Sequence, residues 1–148
     1  IVSNYGVLDG NPADVNSWEP ALTQHETIFG HAPKMAVGDR GFFSGANVKK
    51  ALSMGVKRVA LAARGRLSQA QTKLQKQRWF RKAQGWRAQG EGRIGTLKHR
   101  FGMNRARFKG AGGFKRSVGW SVITNNVICI SRVLARRKAA SDASQQTQ

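Results

Sequence analysis

Residues 35–63 read MAVGDRGFFSGANVKKALSMGVKRVALAA, and this segment carries the clearest fold signal in the chain. Its first part, 35–39, is a short apolar run that ends in an acid, and its last part, 56–63, is rich in strand-forming residues. Between them, 44–55 has the apolar spacing of a helix and ends in a glycine, the usual residue just past a helix. A strand, a helix and a second strand in this order predict a parallel βαβ unit.

The segments before this unit continue the same alternation. Residues 1–8 are rich in strand formers and precede turn-forming residues, so they predict a strand followed by a loop. Residues 15–30 carry apolar side chains at spacings of three and four, which predicts a helix that Asp14 can cap. Because Ile1 would lie in the middle of a strand, we expect the chain to be a fragment of a longer protein.

The second half of the chain predicts mainly helices. Residues 84–101 favour a helix, although four glycines weaken it. Within 114–137, apolar residues recur at spacings of three and four: Trp120, Ile123, Val127, Ile130 and Leu134. This spacing favours a core helix, and the β-branched content leaves a pair of strands as the second possibility. We expect one folded domain over 1–138 and a disordered polar tail over 139–148.

Charge is distributed very unevenly along the 148 residues. The chain holds 26 Lys and Arg against 7 Asp and Glu, a formal net charge of +19. Residues 1–39 hold five acids and one base, whereas residues 40–148 hold 25 bases and two acids. Nucleic acid is the expected partner because Lys and Arg neutralise phosphates. Glu91 is the only acid between Arg40 and Ala140, which makes it a candidate for a specific role.

Composition also argues against several other classes of protein. The single cysteine, Cys129, excludes an internal disulfide and a four-cysteine zinc site. His25, His31 and His99 share no ligand spacing with it, which argues against zinc altogether. No apolar run approaches about 18 residues, so we predict no membrane partner and a cytoplasmic location.

Two acids are candidates for chemistry, and each has an ordinary alternative. Asp39 follows a buried strand, where open α/β sheets bind ligands, but Asp-Arg-Gly is also a common turn sequence. Glu91 shares one face of an ideal helix, within about 60°, with Gln84, Arg87 and Lys98. Arg87 and Glu91 can form a surface ion pair worth only about 0.3–0.5 kcal/mol. Alternatively, Glu91 is a metal-binding carboxylate flanked by phosphate-binding cations.

Aromatic and apolar residues on the same segment are also open to two interpretations. Trp79, Phe80 and Trp86 lie among basic residues and can stack on bases. Helical aromatics more often face a core, and we favour that interpretation slightly. Beside the charged face, an apolar stripe is predicted to be buried: Trp86, Gly90, Ile94, Leu97 and Phe101.

Three blocks of sequence resemble the catalytic domain of bacterial insertion-sequence DDE transposases. They are GNPAD (10–14), GDRGF (38–42) and WRAQGEGRIGTLKHRFG (86–102). One large group of that family carries Y-x2-R-x3-E-x6-K on its acidic helix. Arg87, Glu91 and Lys98 match this pattern in register, and Gln84 stands at the tyrosine position. The resemblance extends over nearly all of residues 1–138, in the same order and spacing.

The resemblance implies a fold, an activity and a site. The fold would be α/β and ribonuclease-H-like, a mixed sheet flanked by helices, incomplete at the N-terminus. The activity would be DNA strand cleavage and transfer with two Mg²⁺ ions, held by Asp39 and Glu91 as catalytic and metal-binding residues. The intact enzyme would be oligomeric on transposon ends in the bacterial cytoplasm, associated with the nucleoid. DNA phosphates would meet the basic side chains of Arg87, Arg93, Lys98, Arg100, Arg105 and Arg107.

One departure from the family limits the expected activity. The family's first catalytic Asp lies upstream of the region that this chain matches, and Asp9 and Asp14 match non-catalytic positions. We therefore expect the chain alone to be inactive as a transposase and to bind Mg²⁺ poorly. The alternative is a non-catalytic basic nucleic-acid-binding protein in which Glu91 is a structural counter-ion.

Overall fold

The computed structural model describes residues 1–8, 10, 12–105 and 108–145. The elements, in chain order, are a 3-10 helix Asp14–Ser17, α1 (Trp18–Phe29), β1 (Met35–Gly38), a 3-10 helix Arg40–Phe42, α2 (Gly45–Ser53), β2 (Arg58–Leu61), α3 (Gln69–Lys76), α4 (Arg78–Arg100) and α5 (Gly110–Gln145). The chain divides into two compact units. We call Leu8–Gly92 the sheet unit, and Ile1–Val7 with Arg93–Gln148 the helix unit.

The predicted βαβ unit is confirmed. β1 and β2 pair in parallel, with Met35 opposite Arg58 and Gly38 opposite Leu61, and α2 is the crossover between them. The Ser44 side chain begins α2 by accepting a hydrogen bond from the Asn47 backbone N–H. This cap satisfies one of the free donors at the start of the helix.

The core of the sheet unit lies on both faces of the two strands. One cluster joins α1, α2 and the strands, and it contains Trp18, Leu22, Ala36, Ala51, Val56, Val59 and Leu61. A second cluster contains Ala60, Phe80 and Ala83 and brings the start of α4 onto β2. Val59 and Leu61 belong to the first cluster and Ala60 to the second, because successive strand residues point to opposite faces.

Gly38 is placed where no side chain fits without movement. A Cβ at this position would lie 2.8 Å from Leu61 Cδ2 and 3.0 Å from Trp18 Cζ3. Leu61 and Trp18 are buried, so neither can withdraw without displacing its neighbours. We expect Gly38→Ala to lower the free energy of unfolding by about 1–3 kcal/mol, measured by urea denaturation.

Gly45→Ala is the matched control for this substitution. Gly45 is the first residue of α2, and a Cβ there meets nothing within 4 Å. Alanine is the better helix former, so its effect should be neutral or slightly stabilising. An unchanged stability for Gly38→Ala would contradict the close packing described here.

The helix unit is organised around α5 and the extended N-terminal segment. Asn126 holds Val2 by two hydrogen bonds: its Oδ1 accepts from the Val2 N–H at 2.9 Å, and its Nδ2 donates to the Val2 carbonyl at 2.7 Å. On the buried face of α5, the Ser121 hydroxyl bonds to the Phe101 carbonyl at 2.7 Å. The N-terminal segment is therefore attached to a helix side chain instead of a neighbouring strand.

The prediction of a ribonuclease-H-like fold with a mixed sheet is wrong. Among the described residues, strands occur only at β1 and β2, and these two are parallel. The strand predicted over residues 1–8 is absent, and the backbone N–H and carbonyl of Val2, which a strand would pair with a neighbouring strand, bond to Asn126 instead.

Residues 114–137 form one helix, as their spacing predicts, but the predicted burial of Trp120, Ile123, Val127, Ile130 and Leu134 is wrong. Exposed fractions are 64% for Trp120, 51% for Ile123 and 59% for Val127. Ser121, Val122 and Asn125 lie buried instead. By length and composition alone, α5 is the one helix in the described part of the chain that could cross a membrane, a test that the core helices of soluble proteins also pass.

The C-terminal end of α5 reaches into the predicted tail. The helix ends at Gln145, so residues 139–145 are helical. Residues 146–148 lie outside the described part of the chain.

Candidate active site

A cavity of about 490 Å³ lies at the carboxyl edge of the two strands, within the sheet unit. Its polar and charged lining residues are Asp39, Arg40, Gln75, Arg81, Gln84, Arg87 and Glu91. Asp39 follows β1 directly, whereas Glu91 is one of the lining residues on α4. The cavity thus brings together the two carboxylates that the sequence singles out, which are 52 positions apart (91 − 39).

Asp39 performs the turn role that its sequence context predicts. Its Oδ1 accepts a hydrogen bond from the Gly41 N–H at 2.6 Å and caps the 3-10 helix Arg40–Phe42. A Cβ at Gly41 would collide with Asp14 Oδ2 and lie 2.9 Å from Asp39 Oδ1. The Asp14 and Asp39 carboxylates therefore approach the same glycine. The capping bond uses one carboxylate oxygen and does not exclude a second role for Asp39 in the cavity.

A chain of hydrogen bonds links the sheet to Glu91. The Gln84 Nε2 donates to the Ala60 carbonyl at 2.7 Å and to the Gly38 carbonyl at 3.3 Å. The Gln84 Oε1 accepts from Arg87 Nε at 3.3 Å, and Arg87 Nη1 donates to Glu91 Oε1 at 2.9 Å. Gln84, Arg87 and Glu91, which span about two turns of α4, are thus tied to the carboxyl ends of both strands.

The predicted ion pair between Arg87 and Glu91 is confirmed. The Glu91 side chain is 66% exposed and the Arg87 side chain 29%, so water screens the pair strongly. Such an exposed pair contributes about 0.3–0.5 kcal/mol to stability. The metal-binding interpretation of Glu91 stays a prediction. Within the described residues, no three His, Cys, Asp or Glu side chains lie together as a metal-binding group.

The other predicted DNA-binding residues lie in the helix unit, in several environments. Arg93 Nη1 lies 3.4 Å from both Asn125 Oδ1 and Cys129 Sγ, so this side chain packs on α5. Lys98 and Arg100 are exposed in the last turn of α4. Arg105 is exposed in the loop that follows, and Arg107 lies outside the described residues.

The aromatic residues of α4 divide between the two interpretations. Phe80 is buried in the second core cluster, as a core residue would be. Trp86 is 63% exposed, so its predicted burial is wrong and a stacking role stays possible for it. Farther along the same stripe, Leu97 is buried, whereas Ile94 is 49% exposed. The buried stripe of α4 is narrower than its apolar pattern predicts.

Sequence reasoning missed two cations of the cavity. Arg40 follows Asp39 directly, and Arg81 lies one turn before Gln84 on α4. The spacing of 81, 84, 87 and 91 is that of one helix face and could have revealed Arg81. With Arg87, these two side chains bring to three the number of arginines that line the cavity beside the two carboxylates.

Comparison with known proteins finds no family model, no curated protein and no solved structure that matches this chain. The resemblance to DDE transposases therefore stays a prediction. The chemistry of the cavity is the independent basis on which a function can be argued.

Proposed function

We propose that this chain is part of a DNA transposase, and that its cavity is where a DNA phosphodiester would be cut and joined. The observation that carries the proposal is the meeting of Asp39 and Glu91 in one cavity with Arg40, Arg81 and Arg87. Carboxylates suit a hard divalent cation, and arginines suit phosphate oxygens. A phosphate ester that binds together with a divalent cation uses both groups at once, and a nucleic acid backbone is such a ligand.

Asp39 and Glu91 are the residues that would hold Mg²⁺ in this site. Mg²⁺ commonly binds through one or two carboxylates together with phosphate oxygens of the substrate, so a DNA strand would supply the remaining ligands. Mg²⁺ held by these two residues would supply charge stabilisation for the phosphodiester displacement. The amide of Gly41, which already uses one Asp39 oxygen, fixes the direction of that carboxylate.

The three arginines attract and orient the phosphate backbone. Arg40 and Arg81 are exposed, and Arg87 is partly buried and held by Gln84 and Glu91. Backbone contacts of this kind fix the register of a protein on DNA without reading its sequence. Lys98, Arg100 and Arg105 are further candidates for phosphate contacts in the helix unit, and the intact enzyme would act as an oligomer on transposon ends in the bacterial cytoplasm.

A third carboxylate is needed for the family's chemistry, and no group of three forms among the described residues. We therefore propose that the chain by itself binds DNA but does not transfer strands. In a metal-dependent strand-transfer assay we expect no product from the purified chain. Product that disappears in Glu91→Gln would contradict this part of the proposal.

A second candidate is a non-catalytic basic protein that binds nucleic acid. It is favoured by the 2.9 Å ion pair that Glu91 makes with Arg87, which is what a structural counter-ion would do. Both candidates bind DNA in a salt-sensitive way. They differ in what a divalent cation does to that binding.

Manganese, used in place of Mg²⁺, separates the two candidates. We expect Mn²⁺ to raise the affinity for a fluorescein-labelled duplex severalfold over EDTA, measured by anisotropy at constant ionic strength, because carboxylates and phosphate share the ion. Asp39→Asn and Glu91→Gln should each abolish the gain. Glu26→Gln removes an exposed acid on α1 and is the charge-matched control that should keep it.

The counter-ion candidate predicts the opposite pattern. Mn²⁺ would then lower affinity by competing for phosphates, and Glu91→Gln would raise it by removing a negative charge. That pattern would overturn the metal site while leaving DNA binding intact.

A further inference from the structure

Gln84 connects the edge of the sheet to the charged face of α4, and we infer that it is a positioning residue for Arg87 and, through it, for Glu91. A role of Gln84 in phosphate binding rests on the proposed function, whereas its hydrogen bonds are observed in the structure. The family pattern has a tyrosine at this position, so the amide here is a feature of this chain.

The amide of Gln84 is used at both ends. Its two N–H groups face the carbonyls of Ala60 and Gly38, one on each strand, and its oxygen accepts from Arg87 Nε. Only an amide offers two donors and an acceptor on one planar group. Gln84 is partly buried, where leaving such groups without partners is costly. These bonds fix the side chain in one orientation.

The guanidinium of Arg87 is held by two hydrogen bonds, one to Gln84 and one to Glu91. Nε donates to Gln84 and Nη1 donates to Glu91, which leaves further N–H groups of the same plane at a cavity that Arg87 lines. A guanidinium with a fixed plane binds two oxygens of one phosphate more favourably than a freely rotating one. Gln84 therefore pre-orients Arg87 for phosphate and directs one Glu91 oxygen toward Arg87.

The test observes Arg87 directly, without DNA or metal. In ¹⁵N-labelled protein, the Nε–H signal that disappears in Arg87→Lys belongs to Arg87. We expect its exchange with water to be about tenfold slower than that of the exposed arginines of α5, a factor that one hydrogen bond of ordinary strength supplies. Gln84→Leu should remove this protection, because leucine is similar in size and offers no acceptor.

Two further variants separate positioning from folding. Gln84→Glu keeps the acceptor for Arg87 and should keep the protection, whereas Gln84→Lys keeps a donor for the strand carbonyls, lacks the acceptor and should lose it. Gln75→Leu changes another glutamine that lines the cavity and should leave Arg87 protected. If Gln84→Leu fails to fold, the protection of the Arg87 Nε–H in Gln84→Glu and its loss in Gln84→Lys still test whether Gln84 positions Arg87.

Unchanged protection of Arg87 in Gln84→Leu or Gln84→Lys would overturn the inference. Since neither DNA nor Mn²⁺ is present, that result would leave the proposed function standing. Conversely, absence of the Mn²⁺ effect on DNA affinity would remove the proposed function and leave the orientation of Arg87 by Gln84 as it is.

Discussion

Replacing Trp18 by alanine is expected to lower the free energy of unfolding of the sheet unit by about 3–5 kcal/mol. The Trp18 ring is 5% exposed, belongs to the larger core cluster and lies 5.9 Å from the ring of Phe42. Its Nε1–H also donates to the Asn47 carbonyl at 3.2 Å. Natural domains are stable by about 5–15 kcal/mol, so the loss of the Trp18 ring would remove a large part of the total free energy of unfolding.

Urea denaturation followed by circular dichroism measures this effect, because the signal does not depend on tryptophan. Trp86→Ala is the control of identical chemistry: Trp86 is 63% exposed, and its loss should change stability by no more than about 0.5 kcal/mol. Equal effects of the two substitutions would mean that Trp18 does not sit in the core as described.

The βαβ unit could be predicted because its signals are local. Ser44 caps α2, and Gly55 has φ +91, the left-handed conformation that favours glycine just after a helix. Each of these features depends on a few neighbouring residues and a single preferred backbone geometry. The predicted helix over 44–55 therefore differs from α2 only at its ends.

Asn47 shows what local signals leave out. Its Nδ2 donates to the carbonyls of Val15 at 2.8 Å and Phe42 at 2.9 Å, and its own carbonyl accepts from Trp18. These partners lie up to 32 residues away in the sequence. The helix pattern of residues 44–55 does not indicate that Asn47 donates hydrogen bonds to two loop carbonyls.

The burial of α5 was predicted wrongly because it also depends on contacts with residues far away in the sequence. Periodicity indicates that residues 120–134 are helical, but it does not say which face finds partners. In the structure, Ser121 bonds to the Phe101 carbonyl and Asn125 accepts from Arg93, so polar residues are buried on α5. The apolar stripe at Trp120 and Val127 is exposed instead. The buried face of this helix therefore includes hydrogen-bonded polar residues beside the apolar Val122.

The helical part of the site was predictable from the sequence. The spacing of Gln84, Arg87 and Glu91 places them on one face, and the structure joins them by hydrogen bonds. Their meeting with Asp39 depends on the parallel pairing of β1 with β2 and on the packing of Phe80 against Ala60. Sequence suggests that meeting through the family motif but contains no local signal for it.

Removing the three cavity arginines together is expected to have the largest effect on DNA binding. In the combined variant Arg40→Ala, Arg81→Ala and Arg87→Ala, the three proposed phosphate contacts would be lost. The slope of log affinity against log salt should then fall in magnitude by about three units, and affinity near 50 mM salt by roughly 10²–10³-fold. Anisotropy titrations of one labelled duplex between 50 and 200 mM salt measure both quantities.

The control is a second triple variant that makes the same change in net charge on α5. Arg132, Arg136 and Arg137 are exposed on α5, and replacing all three by alanine also removes three charges from the formal +19. If a general positive field attracts DNA, the two triple variants lose affinity equally, because such a field depends on the summed charge. If phosphates enter the cavity, only the cavity variant changes the slope by three units, since counterion release counts direct contacts. Equal slopes for the two variants would therefore rule out the cavity as the DNA-binding surface, even if both proteins bind more weakly.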